Sequence, residues 1–185
     1  MVLYKEGIPG KGVEEIKDRF LVKKFYLKIF YYQQGDKIMA QLEYRLFEVD
    51  KGYPALYNYQ TIPPEEIVVR YLCDYFVKDG VVFEKTSNAI EPPLHVIYVR
   101  LAEDEIPISW NHRSTVGMGF IVMEIREFRE DADEYPIIRN LEFNSLTEIA
   151  IFAQCNYIVL DEFEWEQTSL ELDEDRQTYV MYVKR

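Results

Sequence analysis

The sequence predicts an α+β domain of internally duplicated β-β-α-β-β units, forming an antiparallel sheet of about eight strands with two helices on one face. Three observations predict it: a long internal repeat, helix-start signals in register, and strand alternation at matched positions. Residues 53–87 reappear without a gap as residues 135–169. Tyr53, Pro54, Asn58, Glu66, Ile67, Cys73, Tyr75, Val77, Asp79, Glu84, Thr86 and Ser87 meet the same residue type at Tyr135, Pro136, Asn140, Glu148, Ile149, Cys155, Tyr157, Val159, Asp161, Glu166, Thr168 and Ser169. Unrelated windows of this length share roughly two positions. With one residue of slip upstream, Glu43, Arg45 and Phe47 fall on Glu124, Arg126 and Phe128. With two downstream, Val96, Tyr98, Val99 and Arg100 fall on Val180, Tyr182, Val183 and Lys184. The chain therefore divides into an N-terminal arm (1–24), a first repeat (25–103) and a second (104–185). Each repeat is short for an independent core, so residues 25–185 are expected to form one pseudo-two-fold domain.

In chain order, glycines and a proline lead into a short helix over residues 13–20. Residues 25–34 and 38–49 read as strands around Gly35-Asp36, a hairpin signal between aromatic and β-branched runs. Their counterparts are 106–113 and 119–129, joined through residues 114–118 with Gly117 and Gly119 as turn or bulge positions. The Tyr-Pro pairs at 53–54 and 135–136, with Asn58 and Asn140, read as turn scaffolding. Residues 67–77 and 149–160 are β-branched, yet their starts favour helices. Pro63-Pro64 followed by Glu65-Glu66 places proline and acids in a first turn, and Ser145 with Glu148 is a capping box. Gly80 is expected to end the first helix. There Glu66, Arg70, Asp74 and Lys78 form an alternating-charge stripe expected to face solvent. The matching stripe, Glu148, Phe152, Asn156 and Leu160, is apolar enough to invite cover by the arm, the other helix or a second subunit, so a homo-oligomer is possible there. Strands follow at 81–86 and 163–168, then at 95–101 and 179–184, with Ile97, Val99, Met181 and Val183 facing one way.

Composition narrows the function. At 185 residues and 48% hydrophobic content the chain can bury a sizeable core. It shows no spanning apolar run and no secretory signal, so a cytoplasmic location is expected, with no membrane partner. The two cysteines, at matching positions, read as small buried side chains. The net charge of −12 is lopsided, with 14 Lys+Arg against 14 Asp+Glu in residues 1–102 and 7 against 19 beyond. That balance argues against nucleic acid. It allows an acidic docking surface for a basic protein, with Asp173, Glu174 and Asp175 as its centre.

Opposite the helices, alternation places the matched pairs Glu43/Glu124, Glu84/Glu166 and Tyr98/Tyr182 on one surface, with Arg45/Arg126, Thr86/Thr168 and Arg100/Lys184 beside them. Carboxylates and aromatic faces both attract cations. The expectation is a non-catalytic binding module for a small, cationic or aromatic ligand on that face between the repeats. An acidic protein-interaction or inhibitory module is the alternative, and a hydrolase comes third. Catalytic constellations are sparse: His95 and His112 occupy non-matching positions, and no cofactor motif, zinc spacing or calcium loop is present.

Overall fold

The computed structural model describes residues 31–34, 37–108, 120–130, 132 and 135–185. Their first part holds β1 (Tyr31–Gln34), β2 (Lys37–Leu46), β3 (Ala55–Ile62), α1 (Pro64–Leu72), β4 (Tyr75–Lys78), β5 (Val81–Glu91) and β6 (Leu94–Leu101). The second part holds β7 (Ile121–Glu127), β8 (Ile137–Phe143), α2 (Leu146–Phe152), β9 (Tyr157–Leu160), β10 (Phe163–Asp173) and β11 (Thr178–Lys184). The expected α+β class is present, but the described residues carry eleven strands rather than about eight. They form one sheet in the order β1-β2-β6-β5-β4-β10-β11-β7-β8, with β3 also pairing β2 and β9 also pairing β10. The sheet is mixed rather than antiparallel, because β2/β6, β7/β11 and β4/β10 are parallel pairs.

Both helices start where their signals place them. Pro64 opens α1 with Glu65 and Glu66 in its first turn. Ser145 Oγ accepts the Glu148 N–H at 3.2 Å, while Glu148 Oε2 accepts the Asn144 N–H at 2.8 Å. The expected ends are wrong: neither helix reaches residue 77 or 160. Cys73 is already extended (φ −66°, ψ 133°), and the β-forming runs Tyr75–Lys78 and Tyr157–Leu160 pair with neighbouring strands instead. The expected charged stripe is thereby broken, with Asp74 and Lys78 beyond the helix and Arg70 only 4% exposed. The apolar stripe on α2 is broken in the same way, since Asn156 and Leu160 lie past its end and Phe152 packs on Phe143. Gly80 does not end a helix. With Asp79 it makes the left-handed two-residue turn between β4 and β5, and Asp161-Glu162 make its counterpart between β9 and β10.

β3 and β8 went unread at the sequence level, where proline and asparagine pointed to turns. In the fold, Asn58 lies opposite Glu43, and Asn140 lies opposite Glu124. The expected strand over 106–113 has no strand in its described part, and Ile106 is 88% exposed. His112, Gly117, Gly119, residues 25–30 of the first expected strand and the helix expected over 13–20 lie outside the described residues.

One core unites both parts. Leu42 and Tyr44 on β2, Ile97 and Val99 on β6, Phe83, Phe76, Leu170, Met181 and Ile125 all point to the sheet face that receives Ile67 and Val69 of α1 and Ile149 and Ala150 of α2. Fully burying side chains of this size is worth about 1.5–3 kcal/mol each. Cys73 is buried there, whereas Cys155 is exposed, and both are free thiols.

Candidate functional site

The face away from the helices is organised by cross-strand register. Arg100 lies opposite Glu84, Glu84 opposite Tyr75, Tyr75 opposite Glu171, Glu171 opposite Val180, Val180 opposite Glu124, and Glu124 opposite Asn140. These residues form a single row that crosses the β4/β10 seam, where the two parts of the chain join. Neighbouring strands are about 4.8 Å apart, so Glu84 and Glu124 each stand roughly 10 Å from Glu171.

Glu171 is the exceptional member. It is 6% exposed, and its Oε2 accepts the Tyr182 hydroxyl at 3.3 Å. Its Oε1 is buried and has no hydrogen-bond partner among the described residues. Burial, and next the negative charge of Asp173, push its carboxyl up to about 7, against the pull of Arg176, the Tyr182 hydroxyl and Arg126. Tyr182 packs edge-on against Tyr135 at 5.4 Å between ring centroids. Burial raises the tyrosines Tyr75 and Tyr135, and the negative charge of Glu105 acts on both. Among the described residues, Glu171 thus has Tyr182 bonded to it, Tyr75 beside it in register, and Tyr135 packed on Tyr182.

Beside it lies a salt-bridged cluster. Arg176 Nη1 reaches Glu124 Oε1 at 2.9 Å and Arg176 Nε reaches Asp173 Oδ2 at 2.6 Å, while Arg126 Nε donates to Glu124 Oε2 at 2.8 Å. A small cavity of about 150 Å³ adjoins this cluster, lined by Val77, Gly80, Pro107, Ile108, Asp173, Asp175 and Arg176. Val77 and Asp173 are the register pair two residues along from Tyr75 and Glu171, so the cavity shares their seam and face.

The matched residues expected to bind ligand fall into three settings. Glu84, Glu124 and Tyr182 belong to the seam row or touch it. Glu43 and Tyr98 belong to a parallel cluster in the first part, where Arg45 Nε donates to Glu43 at 2.5 Å, Arg45 Nη1 to Glu91 at 2.7 Å, and Tyr98 to Glu91. Glu166 pairs with Lys184 at 3.4 Å as Glu84 pairs with Arg100 at 2.7 Å; both are exposed bridges worth about 0.5 kcal/mol or less.

Asp173, Glu174 and Asp175 are engaged inside the chain. Asp173 holds Arg176. Glu174 accepts from Arg70, from Lys78 at 2.5 Å and from the Tyr59 hydroxyl at 2.8 Å. Asp175 accepts the backbone N–H groups of Asp79 and Gly80 at 3.0 and 2.8 Å. This turn therefore clips β10 to the β4–β5 hairpin.

Sequence reasoning missed Glu171, Arg176, Tyr75 and Tyr135 as site residues. The available signal was a mismatch: Glu171 aligns with Ala89, and carboxylates stand at 171 and 173 where the first repeat has one, Glu91. Among the described residues, no group of three His, Cys, Asp or Glu is placed to hold a metal ion, and no helix is long and apolar enough to cross a membrane. The chain matches no protein-family model, no curated protein and no solved structure.

Proposed function

We propose that this chain is a non-catalytic binding module, built from a duplicated strand-strand-helix-strand-strand-strand segment, that takes a small aromatic cation at the β4/β10 seam. The duplication is supported by element positions: β4 and β9, like β5 and β10, stand at the spacing that relates residue 53 to residue 135. It is supported again by matched contacts. The Phe47 N–H donates to Val99 O at 2.8 Å and the Phe128 N–H to Val183 O at 2.7 Å; Leu46 bonds Pro54 and Glu127 bonds Pro136, both at 3.0 Å. β4 is antiparallel to β5 and parallel to β10, so β5 and β10 run oppositely, as a pseudo-two-fold normal to the sheet requires.

The observation that carries the ligand reading is the buried Oε1 of Glu171, without a donor among the described residues, on the tyrosine-bearing face where a cavity is lined by Asp173 and Arg176. A buried acceptor without a donor costs about 1–3 kcal/mol, and a cation that supplies a donor recovers this. Aromatic faces add attraction for the same charge. A volume near 150 Å³ admits one benzene-sized ring.

Thermal-shift measurement against aromatic amines and amidines, with benzyl alcohol as the uncharged control, tests the reading. Cations alone should raise the Tm, in proportion to the logarithm of their concentration once saturating. The rise should vanish in Glu171→Gln and persist in Glu166→Gln. A panel that shifts nothing, or shifts both variants alike, removes the seam as the site.

A further inference from the structure

Resting on that reading, we infer that the ligand carries at least one N–H donor, as an amidinium or primary ammonium does, and that it enters by displacing a proton from Glu171 Oε1. Three carboxylates, Glu124, Glu171 and Asp173, stand in the buried cluster on this face. Two guanidiniums, Arg126 and Arg176, stand with them. Arg126 is committed to Glu124, and Arg176 bridges Glu124 and Asp173. Among these five groups Glu171 is the one without an ion-pair bond to a described residue, and its hydrogen bond comes from a neutral hydroxyl, that of Tyr182.

The groups around it come from every neighbouring element. Asp173 lies on its own strand and Arg176 in the following turn. Tyr182 stands on β11, Arg126 and Glu124 on β7, Tyr75 on β4 and Glu84 on β5. Asp173 opposes a negative charge on Glu171, whereas Arg176 and Arg126 favour it while bonded to other carboxylates. A buried carboxyl oxygen without a donor is cheaper to keep as an acid than as an anion. The empty-handed form of the site is therefore the carboxylic acid at mildly acidic pH.

Exchange then balances simply. The Glu171 O–H bond breaks, its proton leaves to solvent, and the ligand's N–H donates to the carboxylate left behind, so net charge in the cluster is unchanged. A quaternary ammonium has no N–H and leaves Oε1 as bare as before. Its attraction to Tyr75, Tyr135 and Tyr182 does not replace that hydrogen bond. The cavity two residues along the seam, lined in part by Arg176, Val77, Pro107 and Ile108, is where the flat ring of an aryl cation would lie.

Titration calorimetry with benzamidine and with benzyltrimethylammonium tests this, in two buffers of different ionisation enthalpy, about one unit either side of pH 7. Benzamidine should release close to one proton per molecule bound at about pH 6 and few at about pH 8, with affinity about tenfold weaker at the lower pH. Benzyltrimethylammonium should bind at least about tenfold more weakly than benzamidine at the higher pH. Benzamidine binding without proton release, or equal affinity for the two probes, overturns the exchange mechanism and leaves the binding module standing. Failure of both probes at both pH values overturns the mechanism and the module reading together. Carbonyl-stretch infrared titration of ligand-free protein gives a second readout: the acid band of wild type, absent in Glu171→Gln, should disappear near pH 7. Its disappearance in the ordinary carboxylate range overturns the mechanism even if benzamidine binds.

Discussion

Ala89 stands opposite Val96 on β6 just as Glu171 stands opposite Val180 on β11, so one place in the two halves holds a methyl group on one side and a buried carboxyl on the other. The carboxyl destabilises the folded state whenever it must ionise. Its folded pKa, about 7, lies above the ordinary 4.5, so the native state holds the proton more tightly than the unfolded chain between those values. Stability linked to Glu171 is full below the ordinary carboxylate range and is lost as pH rises toward 7. Glu171→Gln should therefore remove a pH-dependent loss of about 3 kcal/mol. Urea denaturation at about pH 5 and about pH 8 checks this: the variant should gain on wild type at the higher pH. Parallel pH profiles for the two proteins would refute it.

Thr86 and Thr168 test whether matched positions in the two parts of the chain are energetically equivalent. Each sits where β5 or β10 slips register, between Lys85 and Ser87 or between Gln167 and Ser169. Each hydroxyl donates to the carbonyl of the matched tyrosine, Tyr98 at 3.1 Å and Tyr182 at 3.0 Å. A side-chain hydrogen bond of this kind is worth about 1 kcal/mol. Thr86→Val and Thr168→Val should each cost about that amount, and the double variant should cost their sum, because the bulges share no partner. Denaturant midpoints of the three variants measure it, and strong non-additivity would contradict independent bulges.

Glu174 joins the halves from the other side. Burial would raise its carboxyl, but the charge of Arg70 and hydrogen bonds from Lys78, Arg70 and Tyr59 outweigh that and hold it below the ordinary range. Its stabilisation is present above that range and fades as pH falls through the lowered value. Glu174→Ala leaves Arg70, 4% exposed, with Glu66 as its remaining ion-pair partner among the described residues. The loss should be about 2–3 kcal/mol near neutral pH and smaller in acid. Hydrogen exchange should show faster opening at the β4/β10 seam in the variant.

What the sequence made legible is what local chemistry decides. Proline with trailing acids at 63–66 and the capping box at Ser145 mark helix starts because they satisfy the first free N–H groups of a helix. The ends escaped because they depend on partners far along the chain: Tyr75–Lys78 is extended because β5 and β10 flank it. Asn58 and Asn140 read as turn formers, and only pairing with β2 and β7 reveals them as strand residues. The repeat pointed to the face of the proposed site through Glu84, Glu124 and Tyr182. Reliance on matched residues then hid Glu171, whose importance comes from lacking a match. Tyr75 was matched, but assigned to a helix that ends before it.

Arg176 and Arg45 make the same bridge in two environments, and burial should decide what each is worth. Arg45 links Glu43 to Glu91, with side chains 19%, 11% and 43% exposed. Arg176 links the equivalent residues, Glu124 and Asp173, and all three of these side chains are 1% exposed. Water can solvate Glu91 when Arg45 is removed, so Arg45→Met should cost about 1 kcal/mol. Removing Arg176 strands the buried Asp173 carboxylate and leaves Glu124 with Arg126, and Arg176→Met should cost about 3–5 kcal/mol. Combining Asp173→Asn with Arg176→Met should return much of that loss, since the stranded carboxylate is then neutral and Glu124 keeps Arg126. Urea melts of the single variants and the double variant measure the contrast. Equal losses for Arg45→Met and Arg176→Met would mean that the second cluster draws its stability from packing rather than from its charges.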